Sequence, residues 1–286
     1  MTSKKPSISR AYPIDWHIAR WGRGKIAPAP EFVVIHFTGS GGSGGTASAV
    51  YADWVSRPKA SRANCHYIVD AAGIYECVDP KQYACQFACA SKISTAHINF
   101  YVAVNGKESP YAKSHIKLAG NFNTINIEAC SAKRTPVSRR PDAYMDTDFY
   151  FPDATYRNLV GLTSWLLDEF GIPLSNLIMH HQVSGKLCPA MWCNRPEAFN
   201  GWLAFKYDVA TILNKPVVLS ELSVPSGEGT AAGTADSGTV YVNRGDPMYM
   251  NPGGIVVGYF DAAKTLTYEF QRNGYCYTSS GWVKGA

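Results

Sequence analysis

The sequence predicts an α/β domain, a mixed β-sheet with helices packed over it, followed by a small all-β barrel. Three observations carry that expectation. Short apolar runs rich in β-branched residues alternate with segments of helical periodicity up to about residue 215. The composition then breaks at Val224 to Gly238, a run of small, polar and glycine residues that cannot bury enough apolar surface to order itself. Beyond it, residues 239–286 hold nine aromatics separated by closely spaced turn signals.

The elements follow in order. Phe32-Val-Val-Ile-His36 has the continuous apolar character of a buried central strand. Ala47–Val55 reads as a helix stopped before Pro58. His66–Val69 and Gly73–Val78 are strands joined by a turn at Asp70–Gly73, and Thr124–Ala129 is another strand. A stronger helix covers 154–170, where Tyr156, Leu159, Val160, Leu166, Leu167 and Phe170 recur at helical spacing before Gly171 and Pro173 end it. A last helix starts near Pro196 and runs towards Leu213, with Phe199, Trp202, Leu203 and Ile212 as its apolar side. The stretch 91–120 fits none of these patterns and reads as an insertion. Four segments result: a basic segment 1–29, a domain over 30–215, a linker 216–238 and a C-terminal module 239–286.

Charge and cysteine usage narrow the function. The formal charge of +5 is carried by residues 1–25, where six basic side chains face Asp15 alone (6 − 1 = +5), and the rest balances. Such an arm either steers the chain to an anionic polymer, teichoic acid or nucleic acid, or is a solvated tail that aids solubility. The second reading is adopted, and no nucleic-acid partner is expected. The N-terminus lacks the apolar core of a secretory signal, and no run approaches the ~20 apolar residues of a membrane span. Synthesis in a cytoplasm is therefore expected. The eight cysteines are too scattered for a disulfide framework and are expected to be mostly free, with metal binding open to some.

The densest chemical signal is His180-His-Gln-Val-Ser-Gly-Lys-Leu-Cys-Pro189. Imidazole and thiolate are good zinc ligands, and a catalytic zinc takes three protein ligands and keeps one position open. His36, at the end of its strand, is the candidate third donor. Each residue alone also has a structural reading: His36 as a satisfied strand-end histidine, Cys188 as a small buried hydrophobe, Glu128 as an exposed strand residue.

Together with Val33-Val-Ile-His-Phe-Thr-Gly39, Cys65-His-Tyr-Ile-Val69 followed by Gly73, and Asn123-Thr-Ile-Asn-Ile-Glu128, in that order, the 180–189 segment resembles the type-2 N-acetylmuramoyl-L-alanine amidases, the superfamily of phage endolysins and peptidoglycan recognition proteins. The resemblance covers about 30–215. It implies a mixed sheet flanked by helices, one zinc held by His36, His180 and Cys188, and hydrolysis of the amide between N-acetylmuramic acid and L-alanine. His180 rather than His181 fits, because the family ligand stands eight residues before the cysteine. Glu128 matches the family's glutamate near the zinc water, Lys186 a basic residue before the cysteine, and Thr38 a small polar residue beside the first ligand. Glu128 would then be the general base, Lys186 would stabilise the oxyanion, and Thr38 would touch substrate.

Two positions depart from the family pattern. No hydroxyl stands near Cys65, where one branch has a catalytic tyrosine, which favours Glu128 as base. Cys85-Gln-Phe-Ala-Cys89 replaces a Trp-His-Ala-Gly-like motif and removes a histidine; these cysteines are read as buried thiols rather than a disulfide or second metal site. His66, on the strand face opposite Cys65, is read as structural. The C-terminal module resembles bacterial Src-homology-3-like domains through Val240-Tyr-Val-Asn-Arg244, Val256-Val-Gly-Tyr259 and Ser280-Gly-Trp-Val-Lys284. That implies cell-wall binding. A phage or prophage endolysin acting on bacterial peptidoglycan is the expected whole. A non-catalytic recognition protein would typically lack Cys188, and a muropeptide-recycling amidase would not need the aromatic module.

Overall fold

Every residue of Phe32–Phe37 (β2) is buried, as its unbroken apolar run requires of a central strand. The computed structural model describes residues 9–10, 29–39, 45–56, 64–81, 84–85, 93–134, 149–213, 238–249, 256–272, 275–278 and 281–285. The chain falls into two compact units, residues 1–198 with 205–225 and residues 199–204 with 226–286. The basic segment (apart from Ser9, Arg10 and Ala29), the linker up to Ser237 and Cys89 lie outside the described residues.

In the first unit β2 pairs in parallel with Thr124–Ala129 (β5) on one side and Leu177–Met179 (β8) on the other. Tyr67–Val69 (β3) continues the sheet in parallel beside β5, and Ile74–Glu76 (β4) returns antiparallel to β3. Ser9–Arg10 (β1) adds a short parallel edge to β4, giving the order β1-β4-β3-β5-β2-β8. This is the expected mixed sheet. The turn between β3 and β4 is built by Asp70, whose Oδ1 accepts the N–H groups of Ala72 and Gly73 at 2.8 and 3.0 Å. A two-stranded pair, Ala132–Lys133 (β6) with Phe149–Tyr150 (β7), stands apart from the main sheet.

The helices fall close to their expected places: Ala47–Ser56 (α1), Asp153–Glu169 (α3) and Phe199–Ile212 (α6). Helix α3 packs against β2, β3 and β4, burying Leu159, Leu166 and Leu167 completely. Each such side chain contributes about 1.5–3 kcal/mol relative to exposure. Gly171, at φ 64°, takes the left-handed turn that ends the helix. Of the expected apolar side of α6, Phe199 and Trp202 are buried, but Leu203 is only half-buried and Ile212 is 49 % exposed. Phe205, Val209 and Leu213 supply the rest of the buried face, and Ile212 falls at its margin, where the helical 100° step carries it outward.

The unassigned stretch 91–120 contains a helix, Thr95–Asn105 (α2), followed by a chain of turns through Leu118. Two short helices, His180–Ser184 (α4) and Ala190–Cys193 (α5), follow β8. Seven described cysteines are free, Cys85 among them.

The second unit holds a six-stranded sheet in the order β11-β10-β14-β13-β12-β9. Its strands are Gly238–Val242 (β9), Pro247–Tyr249 (β10), Val256–Tyr259 (β11), Lys264–Arg272 (β12), Tyr275–Thr278 (β13) and Gly281–Lys284 (β14). All its pairings are antiparallel, and Val240, Val242, Phe260, Tyr268, Cys276 and Val283 form its core. Tyr241 and Tyr259 stay 62 % and 66 % exposed.

Candidate metal centre

Strand register brings the site together. His36 near the end of β2 is paired with Glu128 on β5, and His180 follows directly after β8. Three adjacent parallel strands therefore present polar side chains at their carboxyl ends, where open α/β sheets place ligand sites. The loop after α4 returns Cys188 to the same place. One donor atom from each of His36, His180 and Cys188 lies within 4.8 Å of the others, and all three residues are buried. Cys188 Sγ stands 3.9 Å from His36 Nδ1, and the two imidazole rings meet at 4.6 Å between centroids. Nitrogen and sulfur bonds of zinc length at a tetrahedral angle separate two such atoms by about 3.6 Å. The donor set fits a metal ion.

A polar chain sets the orientation of His36. Asn126 Nδ2 donates to Thr124 Oγ1 at 3.0 Å, and Thr124 Oγ1 donates to the Gly120 carbonyl at 2.8 Å. The Asn126 Oδ1 is thereby turned to accept from His36 Nε2 at 3.1 Å. With the proton on Nε2, Nδ1 turns its lone pair toward Cys188 Sγ, the orientation that a metal-binding histidine needs from its outer partner. Asn126 was not singled out by the sequence reading. Its signal was the alternation of Thr124-Ile-Asn-Ile-Glu-Ala129, which puts Thr124, Asn126 and Glu128 on one face of a wholly buried strand.

The electrostatics agree with metal binding. Burial, slightly offset by the Asn126 bond and reinforced by the nearby Lys186 charge, lowers the His36 pKa to about 3. Burial, then His36 and Lys186, holds His180 well below the usual histidine range. Both imidazoles are thus neutral and able to ligate. Burial pushes the Cys188 thiol up to about 12, against the attraction of Lys186. A thiol so disfavoured as a bare anion ionises when a cation is bound beside it.

Lys186, half-buried on the loop, acts electrostatically on all three donors, and the Glu128 carboxylate acts on Cys188. Glu128 is only 5 % exposed, yet it lines a cavity of about 190 Å³ together with Thr38, Asp53 and Trp54. Thr38 Oγ1 accepts the Ser131 N–H at 3.2 Å. Of the six residues expected from the sequence, His36, His180 and Cys188 cluster within 4.8 Å, Thr38 and Glu128 share the wall of the cavity, and Lys186 acts on the three donors through its charge. Asp53 and Trp54, in the wall contributed by α1, were not foreseen. Cys65 and His66 both bond to backbone groups: Cys65 Sγ donates to the Tyr67 carbonyl at 2.9 Å, and His66 Nδ1 accepts the Asn126 N–H, also at 2.9 Å.

No curated protein matches the chain. Among solved structures it is similar to a mutant endolysin from Bacillus subtilis, at 18 % identity over 72 % of this chain and 99 % of that one, with a TM-score of 0.43. It is also similar to the PlyG catalytic domain, at 15 % identity over 75 % and 98 %, with a TM-score of 0.46. A third likeness is to the hydrolase AmiA of Staphylococcus aureus, at 17 % identity over 74 % and 83 %, with a TM-score of 0.41. The N-acetylmuramoyl-L-alanine amidase family model matches residues 27–191, a span of 165 of the 286 residues that contains every donor described above. On that match, the chain belongs to the N-acetylmuramoyl-L-alanine amidase family.

Proposed function

We propose that the protein is a zinc-dependent amidase that cleaves the bond between N-acetylmuramic acid and L-alanine in bacterial peptidoglycan. The observation that carries this reading is the convergence of two neutral imidazoles and a thiol within 4.8 Å, beside a carboxylate that opens onto a cavity. Family membership supplies the substrate class.

His36, through Nδ1, with His180 and Cys188 would hold the ion, which supplies a Lewis acid and a nucleophile usable near neutral pH. Glu128 accepts a proton from the attacking water as its oxygen bonds to the lactyl carbonyl carbon. The same carboxyl then returns the proton to the alanine nitrogen as the C–N bond breaks, leaving a free muramic carboxylate and a free alanine amine. The Lys186 ammonium offsets the negative charge that grows on the carbonyl oxygen. Thr38, on the wall of the cavity beside Glu128, is placed in this scheme against the substrate.

The aromatic-rich second unit, in this reading, is a Src-homology-3-like wall-binding module over 239–286, tethered by the linker 216–238 to the amidase domain 30–215. Its two exposed tyrosines, Tyr241 and Tyr259, support a binding role. Among the described residues no helix is long and apolar enough to cross a membrane. The combination suits a phage or prophage endolysin that reaches the wall to lyse its host. Digestion of purified peptidoglycan followed by mass spectrometry tests the reaction. New alanine amino termini paired with free muramic carboxyls are expected. Release of reducing sugar ends, or cleavage inside the peptide stem, would rule this reading out.

A further inference from the structure

The segment from Ile93 to Ala119, which the sequence patterns left unassigned, meets the stretch between His180 and Cys188 at several points, besides the bonds that tie Asn105 Nδ2 to the Asn194 carbonyl at 3.2 Å and the Leu118 carbonyl to Asn123 Nδ2 at 2.9 Å. Ser94 N–H donates to the Ser184 carbonyl and His115 N–H to the Gln182 carbonyl, both at 2.8 Å. Leu187 N–H donates to His97 Nδ1 at 3.3 Å. His181 Nδ1 donates to the Lys186 carbonyl at 3.1 Å, so its Nε2 is the acceptor for the Ser109 hydroxyl at 2.9 Å. Packing follows the same pattern: a Cβ built on Gly185 would lie 2.6 Å from Ile98 Cδ1, and Gly185 is at φ 75°. A side chain at 185 would be strained by that backbone conformation and would have to push Ile98 aside.

These contacts fall on residues 181, 182, 184, 185 and 187, between His180 and Cys188. We infer that α2 and the turns after it form a brace that positions the metal loop, with Ser109 and His97 as its main positioning residues. Ser109 fixes the imidazole next to His180 in sequence, and that imidazole in turn ties down the Lys186 carbonyl. His97 fixes the backbone of the residue before Cys188. The His180-to-Cys188 span is then set before an ion arrives, and Lys186 is carried on a loop held at both ends. Pre-set ligand geometry of this kind raises metal affinity and narrows coordination geometry.

The inference rests on the zinc reading above, and the test separates the two. Zinc affinity of the full chain is measured by competition with a chromophoric chelator, and the cobalt(II)-substituted protein is examined by its absorption spectrum. The parent should bind one zinc. Ser109→Ala and, independently, His97→Leu should each weaken zinc binding about 10-fold and alter the cobalt bands. Ser109→Thr, which keeps the hydroxyl, should restore both readouts. Should Ser109→Ala fail to fold, Ser109→Cys against Ser109→Thr makes the same comparison, since a thiol is the weaker donor. Parent affinity and spectrum in Ser109→Ala and His97→Leu, or equality of the Cys and Thr variants, would overturn the brace. A parent that binds no zinc would instead overturn the zinc reading itself.

Discussion

Replacing Asn126 by alanine tests how the sheet prepares its first ligand. Asn126 is fully buried, accepts from His36 Nε2 at 3.1 Å and donates to Thr124 Oγ1 at 3.0 Å. Truncation removes both bonds and takes this acceptor from a buried N–H, costing the metal-free protein about 1–3 kcal/mol. It also frees the His36 ring to turn or to move its proton to Nδ1, the nitrogen 3.9 Å from Cys188 Sγ. Loss of such an outer partner typically weakens metal binding 10–100-fold. At saturating zinc the gain in stability on metal addition should then shrink by about 1.4–2.7 kcal/mol, because that gain follows the logarithm of ligand concentration over its dissociation constant. Chelator competition gives the affinity, and denaturant titration with and without zinc gives the two stabilities. A folded Asn126→Ala protein that binds zinc within threefold of the parent would refute the orientation argument.

Other outcomes follow from the same site. Glu128→Gln should keep zinc and fold while slowing hydrolysis by about 10²–10⁴-fold, and normal turnover would remove Glu128 from its role as base. At pH 5.5 the metal-free thiol is protonated, because burial raises it to about 12, whereas His36, lowered to about 3, and His180, also lowered, are neutral. Zinc uptake should therefore release about one proton, from Cys188, and affinity should rise with pH; histidines in their ordinary range would release nearly two more. Calorimetry in buffers of different ionisation enthalpy counts the protons. Changing Tyr241 and Tyr259 together to serine should reduce sedimentation with purified wall about fivefold or more while leaving hydrolysis of a soluble muropeptide intact. Unchanged sedimentation would remove these two tyrosines from wall binding.

Much of the fold could be read from residues alone where periodicity was strong. The run Phe32–Phe37 and the heptad-like spacing of α3 each have one dominant pattern, and both elements stand within a residue or two of expectation. The cluster of His36, His180 and Cys188 was also legible, because His180 and Cys188 are close in sequence and His36 lies near a strand end, although the choice of His180 over His181 rested on the family resemblance. Contacts across long sequence distances were less accessible. Asn126 reaches His36 over 90 residues and Ser109 reaches His181 over 72, so neither pairing leaves a local spacing to detect. The brace helix α2 was missed for another reason. Its apolar residues are spread around the helix instead of forming a stripe, and Val102 and Val104 remain exposed.

The most direct test of a zinc ion on His36, His180 and Cys188 is X-ray absorption at the zinc edge of the purified protein. One zinc per chain is expected, with one sulfur neighbour at ~2.3 Å and nitrogen or oxygen neighbours at ~2.0–2.1 Å. In Cys188→Ser the sulfur shell should vanish along with most of the affinity. An active protein free of zinc, or a zinc shell without sulfur in the parent, would contradict it.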